Sequence, residues 1–329
     1  MKRITRTIMA MVPLCGLVLS SMPASAYAQE FPTKPINVLV AYSPGASVDI
    51  SFRALASKAE KFLGQPIIIT NNGTGGSTVG VSIAAKEKPD GYHLLVAMGM
   101  GIVWFPQVRA VPYKYDDFTP IMHYGAFHAG VAARTDAPFK TLKEFVEYAK
   151  KNAGKVNYST GGAGSPHHLA MEYIAKKEGI DWTVIPYAGG APALTALLGG
   201  HVHACSANTG SWIPHVNAGT LRILATYGKT RMKTFTNVPT LTELGYNFVY
   251  DDTFLIAGPK GIPVSIVKRL DDAFRRAMED PEFIQAMAKI DIEASYRNSE
   301  DTRKYIEDSY LRFGKVLQEV PLPKEEGKK

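Results

Sequence analysis

Along almost the whole chain, short β-branched runs alternate with amphipathic stretches, and four of the hand-overs between them are rich in glycine. Alternation of this kind builds a parallel sheet with helices on its faces. Residues 36–41 read as a strand buried on both faces, and residues 47–63 as a helix with Asp49 in its first turn and Gly64 at its end. A strand over 66–70, a helix over 77–86 and a strand over 92–97 complete a βαβαβ unit, half of a doubly wound sheet. After an extended stretch over 118–134 a second series begins. It runs helix 142–152, strand 156–159, helix 165–178, strand 183–186, helix 191–198, strand 202–206, a short helix near 212–218 and strand 221–226. A second extended segment, 249–258, precedes helices over 264–278, 281–289 and 300–318, which have no lobe of their own and are expected to return to the first. The expected fold class is α/β: two doubly wound lobes, a cleft between them and two chain crossovers, with hinges near 118–134 and 250–258. Lobe 1 is expected over 29–127 with 254–320 returning to it, lobe 2 over 128–253, and a polar tail over 321–329.

The first 28 residues read as a cleaved export signal rather than as part of this fold. Lys2, Arg3 and Arg6 give a basic start, and residues 8–19 an apolar run. Small residues at Ala24-Ser25-Ala26 and Ala26-Tyr27-Ala28 offer two cleavage positions. The apolar run is well short of the roughly 20 residues that span a bilayer. Leu14 before Cys15 is not the small residue that lipid attachment requires. Removal of the segment places the mature chain in the periplasm and leaves Cys205 without a partner, so Cys205 reads as a small buried hydrophobe. It also lowers the charge: Lys+Arg number 37 against 30 Asp+Glu, and three of those cations leave with the signal. Lys140, Lys143, Lys150 and Lys151 alternate with Glu144 and Glu147, so no basic stripe marks a nucleic-acid surface.

The glycine-rich loops carry the functional signal. Ser43-Pro44-Gly45-Ala46-Ser47 follows the first strand, and Asn71-Asn72-Gly73-Thr74-Gly75-Gly76-Ser77 the second. In the other series Thr160-Gly161-Gly162-Ala163-Gly164-Ser165-Pro166 and Tyr187-Ala188-Gly189-Gly190-Ala191-Pro192 occupy equivalent positions. Each opens a helix, where unpaired N–H groups and the positive end of the dipole are exposed. Glycine lets a ligand reach those amides. Ordinary βα turns explain any one loop; four together at strand ends are the arrangement of an anion cleft.

Catalytic signatures are missing. There is no Gly-x-Ser-x-Gly elbow, and Gly228-Lys229-Thr230 fails as a phosphate loop because Ile223 stands where its first glycine belongs. The Gly-x-Gly-x-x-Gly spacing of dinucleotide binding is not found after the first strand. His201-x-His203 puts two imidazoles on one strand face with no evident third ligand, so no metal and no cofactor are expected. His167 and His168 point in different directions on their helix, and Asp251 and Asp252 face opposite ways in an extended segment. An α/β enzyme acting on an organic acid would have only His168 or Asp252 as acid–base, and no catalytic residue is assigned.

The same residues carry a resemblance. Phe31-Pro32-Thr33-Lys34-Pro35-Ile36, Pro44-Gly45-x-x-x-Asp49 and Lys88-Pro89-Asp90-Gly91-Tyr92 resemble the receptors of tripartite tricarboxylate transporters, also called Bug proteins. Gly164-Ser165-Pro166-His167-His168-Leu169, residues 192–200 and residues 238–245 extend the match in order. The resemblance implies a periplasmic solute-binding protein of the two-lobed Venus-flytrap kind, similar to type II periplasmic binding proteins. Such a protein would be monomeric and would deliver an organic acid to a small and a large permease subunit. The carboxylate would be held by loop amides, hydroxyls and waters. By position, the contacts would come from Tyr42, Ser43, Ala46 and Ser47, from Gly75, Gly76, Ser77 and Thr78, and from Thr160, Gly161, Ser165 and His168. Tyr187, Ala188, Gly189, Asn208 and Thr253 complete the set, with Asp49 chiefly fixing the first loop. Tyr42, Trp104, Phe127, His128, Tyr187 and Trp212 would offer aromatic walls, which fits a di- or tricarboxylate with or without a ring. Two positions depart from the family pattern: Ala46 replaces a glycine and Asn72 an arginine, so ligand identity does not carry over. A periplasmic sensor presenting the same solute fits the sequence as well.

Overall fold

The computed structural model describes residues 31–290 and 292–322; the expected export signal and most of the polar tail lie outside the described residues. The first half contains β1 (Ile36–Val40), α1 (Ser47–Leu63), β2 (Ile67–Asn71), α2 (Thr78–Ala84) and β3 (His93–Met98). A π-helical turn, Met100–Trp104, then runs into α3 (Phe105–Val108). The long β4 (Phe118–Arg134) leads to α4 (Leu142–Lys151), β5 (Asn157–Thr160), α5 (Pro166–Glu178), β6 (Thr183–Pro186), α6 (Gly190–Leu198) and β7 (Ala204–Asn208). A 3-10 turn, Gly210–Trp212, α7 (Ile213–Asn217) and β8 (Leu221–Thr226) follow. The chain returns through β9 (Asp251–Pro259), α8 (Val264–Ala277), α9 (Pro281–Lys289), β10 (Glu293–Arg297) and α10 (Ser299–Glu319).

The expected alternation becomes two half-sheets that share one strand. β2, β1 and β3 run parallel, and β9 joins β3 antiparallel. β5, β6 and β7 form a second parallel set. β4 belongs to both: its first part pairs with β9 and β10, and Ala129–Ala132 pairs with β7 while Gly130–Arg134 pairs with β8. The two doubly wound halves are thus continuous through one 17-residue strand.

Local sequence explains most elements. α1 buries Val48, Phe52, Leu55, Ala56, Ala59 and Leu63, the spacing of one helical face, and stops at Gly64, whose φ of 71° suits only glycine comfortably. Its buried face meets α8 through Phe52 and Phe274, with ring centroids 6.0 Å apart. α4, α9 and α10 begin at side-chain caps, Thr141, Asp280 and Asn298.

Two features exceed what the sequence foretells. β10 pairs with β4 at Glu293↔Ala126, a contact between segments remote in sequence. The last helix also does more than return to the first half. Ile306, Phe313 and Val316 of α10 lie in a core containing Trp104 of the first half and Tyr158 and Leu169 of the second. The Phe313 ring lies 5.3 Å from Trp104, 6.1 Å from Phe248 and 5.9 Å from Tyr250. Lys176 and Lys177 of α5 reach the C-terminal turn of α10 at Glu319. Expected as cleft walls, Trp104, in that shared core, and Trp212, in a separate core of the second half with Leu197, Val202 and Cys205, are fully buried; an indole is large enough that packing claims it first.

Phe313→Ala removes a ring shared by both halves, so a loss of about 3–5 kcal/mol is expected in urea unfolding. Loss of stability confined to one half, seen as two separate transitions, would show that α10 does not couple them.

Candidate functional site

Three helices start at the same cavity. Its volume is about 680 Å³, within the range of small-molecule sites. Ser47 opens α1, Ser165 and His167 open α5, and Gly190 and Ala191 open α6, all lining this space. α1 and α6 start without a side-chain cap, whereas α5 is capped by Ser165 Oγ, which accepts the His168 N–H at 3.2 Å. First-turn amides of α1 and α6 are therefore available at the cavity, and their dipoles add positive potential there. The remaining wall comes from Met98, Met100, Phe127 and Ile290 on one side and Ala207, Asn208, Gly210, Ser211 and Pro214 on the other, with Asp252 of β9. Among the described lining residues there is no lysine or arginine; Asp252 is the one acid.

The loops are held rigidly from behind. Asp49 Oδ2 accepts the Gly45 N–H at 2.9 Å, and its Oδ1 accepts Arg53 Nε at 2.9 Å and Asn71 Nδ2 at 2.9 Å. Burial works to raise the Asp49 pKa, but those hydrogen bonds outweigh it and hold the carboxyl below its ordinary value. Asp49 thus fixes the β1–α1 loop. Asn72 Oδ1 accepts the Thr74 N–H at 3.2 Å, so the residue that departs from the family pattern serves its own turn. In the other half Tyr187 N–H donates to Thr160 O at 2.8 Å and Gly189 N–H to Gly161 O at 3.1 Å. A Cβ at Gly161 would lie 3.0 Å from Gly189 C and Gly190 N, so the close approach of these loops requires glycine.

Of the residues expected in the site, Ser47, Gly161, Ser165 and Asn208 line the cavity. The others stand behind it. Thr160 Oγ1 is 3.4 Å from Ser165 Oγ, and Thr78 Oγ1 donates to Gly75 O at 2.9 Å. Tyr187, Ala188 and Gly189 shape the α6 entry, and Ser43 and Ala46 close the β1–α1 turn through Ala46 N–H to Ser43 O at 3.1 Å. Tyr42, Ser77 and Thr253 are packed about the π-helical turn. A Cβ at Gly101 would meet Ser77 Oγ at 3.0 Å, and one at Gly99 would meet Thr253 Oγ1 at 2.6 Å. Gly76 lies near Arg109, 3.5 Å from where its Cβ would be. His168 accepts the Gly164 N–H on Nδ1 at 3.1 Å, tying its ring into the loop, while its neighbour His167 lines the cavity.

His167 and Asn208 form a unit. Burial pushes the His167 pKa down to about 4, so the neutral ring pairs its Nε2 with Asn208 Oδ1 at 3.0 Å. Assigning the Nε2 proton to that bond leaves the Asn208 amide NH₂ to face the Asp252 carboxyl. The sequence offered no signal for Met98, Met100, Ala207, Gly210, Ser211, Pro214 or Ile290, which reach the cavity only through sheet pairing and the π turn. Cys205 is buried, and burial pushes its pKa up to about 12, so it is an inert thiol. Among the described residues no group of three metal-binding side chains exists, and no helix is long and apolar enough to cross a membrane.

Asp252 is 2% exposed, and burial pushes its pKa up to about 7. In the unfolded chain the same carboxyl ionises in the ordinary acidic range. Keeping it buried therefore costs stability progressively as pH rises from that range to about 7, at about 1.4 kcal/mol per unit. The stability gained by Asp252→Asn is expected to be small at pH 4, to grow until about pH 7 and then to level off. Urea unfolding at a series of pH values reads this; a pH-independent gain would assign the titration elsewhere.

Comparison with known proteins places these features in context. The model of the "Tripartite tricarboxylate transporter family receptor" matches residues 51–322. The chain is 36% identical over 310 residues to the "UPF0065 protein in gbd 5'region" of Cupriavidus necator, covering 94% of each. It is 29% identical over 311 residues to BugT of Bordetella pertussis, covering 92% of this chain and 94% of that one. A solved TctC solute binding protein from Polaromonas superposes with a TM-score of 0.81 at 28% identity, over 88% of this chain and 100% of that one.

Proposed function

The chain belongs to the tripartite tricarboxylate transporter receptor family, and from that premise we propose that it captures a small organic di- or tricarboxylate in the cavity between its halves. On this reading it is a periplasmic monomer that passes the solute unchanged to the small and large permease subunits. The observation carrying the proposal is the convergence of the α1, α5 and α6 N-termini on one cavity, two of them uncapped. Amides at helix starts bind anions without a neighbouring cation. The ligand-binding set proposed here is Ser47, Gly161, Ser165, His167, Gly190 and Asn208, with Asp49, Thr160 and the 187–189 turn as its support. Met98, Met100, Phe127 and Ile290 supply an apolar wall for a hydrocarbon segment. Of the rings expected as aromatic walls, Phe127 alone lines it, which favours a short aliphatic acid.

On this reading capture works by closure. The β4 partner switch after His128 lies beside the start of β9 at Asp251; these two crossings would serve as the hinges, and a ligand touching both halves would favour the closed state. A sensor role differs only in the partner presented to the closed form, and co-purification with a permease rather than a signalling protein separates the two.

Thermal shift of the purified protein against succinate, malate, adipate, citrate and uncharged controls tests the reading. A bound acid at 100 times its Kd contributes about 2.7 kcal/mol, so one acid class is expected to raise Tm while the controls do not. A shift with none of the acids would end the carboxylate proposal. Gly161→Ala crowds the α6 entry, and its overpacking cost is expected to weaken binding by roughly tenfold or more while the far-ultraviolet spectrum stays the same. Unchanged affinity would remove that loop from the site.

A further inference from the structure

The cavity proposed to hold an anion contains a buried acid. Asp252 is almost fully enclosed and lines the cavity. Its Oδ1 makes no well-formed hydrogen bond among the described residues; the Tyr250 hydroxyl, the Asn208 amide and the Met100 N–H approach the carboxyl and favour its ionised form, but burial outweighs them. The groups around it offer no compensating cation. On its own strand stands Asp251, and just before the strand the buried Tyr250. Asp251 faces His128 Nδ1 at 3.3 Å, and His128 Nε2 is 2.8 Å from Glu293, which also pairs with Lys233. Any charge on His128 or Lys233 is thus already engaged by acids on the far side of the strand. From the loop after β1 comes Tyr42 and from α10 Tyr305, whose hydroxyl donates to Asp251 O at 3.3 Å. From α5 comes His167, neutral and bonded to Asn208. An ionised Asp252 beside a bound carboxylate would place two like charges in one cavity, which two carboxyl groups avoid by sharing a proton.

Resting on the carboxylate reading above, we propose that Asp252 is a specificity-determining residue that meets the ligand as the neutral acid. It donates its carboxyl O–H to a ligand carboxylate oxygen, and the proton is taken up from solvent as the complex forms. No covalent bond changes. The arrangement selects acids over amines, because an ammonium group would need the ionised form. Burial already brings this carboxyl to the verge of neutrality near pH 7, and an adjacent anion drives it further the same way.

Isothermal titration with succinate, malate, adipate and citrate between pH 5.5 and 8.5, in buffers of different ionisation enthalpy, tests the proposal. The expected result is uptake of close to one proton per ligand at pH 8 and affinity falling about tenfold per pH unit above neutrality. Asp252→Asn keeps a donor that does not titrate, so its binding is expected to be flat with pH. Proton uptake by the unaltered protein is an independent readout if the variant does not fold. A flat profile in the unaltered protein, affinity rising with pH, or a slope that persists in Asp252→Asn overturns the inference while leaving the receptor reading intact. No binding of any acid at pH 5.5 overturns the carboxylate reading and the inference together.

Discussion

Strands β4 and β9 run antiparallel from Phe118↔Pro259 to His128↔Asp251, and along that ladder both halves of the molecule and the cavity are joined. The register puts Phe127 opposite Asp252, so one rung supplies an apolar wall and the buried acid together. One residue further, His128 opposes Asp251 and closes an ion pair on the other face. Strand alternation thus sorts two adjacent acids into different tasks. Because β4 continues into the second half-sheet, any slip of this register would displace the α5 and α6 starts relative to α1. α10 resists such movement by packing Phe313 against Trp104, Phe248 and Tyr250.

The parts of this fold legible from sequence are those fixed locally. α1 and its Gly64 stop, β4 over 118–134 and α9 all follow from periodicity, caps and glycine. The glycine-rich loops likewise announce where helices start, and Ser47, Gly161 and Ser165 do line the cavity. β10 was not legible, because its reason to be extended is a partner, Gly125 and Ala126, about 170 positions earlier. The π turn at Met100–Trp104 was equally hidden: no residue type codes for it, and it exists to fit Gly99 and Gly101 closely against Thr253 and Ser77. For the same reason Met98, Met100, Ala207 and Ile290 were missed. The choice between His167 and His168 required the phase of α5, which depends on Ser165 being its cap.

The absence of lysine and arginine from the described lining has an energetic logic. A cation waiting in an empty cavity must itself be desolvated, and it can swing away on a flexible stem. First-turn amides of α1 and α6 are fixed by the helices that carry them, so their orientation is settled before any ligand arrives. The cost moves to the backbone. Gly161 and the positive φ of Gly189, 112°, are needed to bring the α6 start close enough to α5.

Asp252 fits the same logic from the opposite side. A buried carboxyl with an unpartnered oxygen weakens the empty fold, and a protein selected only for stability would replace it with an apolar or amide side chain. Its position in the cavity wall, opposite Phe127 in the β4–β9 ladder, puts this acid beside any ligand the cavity holds. An amide-lined anion site with one acid distinguishes ligands by their donors and acceptors rather than by net charge alone. A site lined with arginine would accept any small anion of the right size, whereas a single neutral acid demands an acceptor at one defined point.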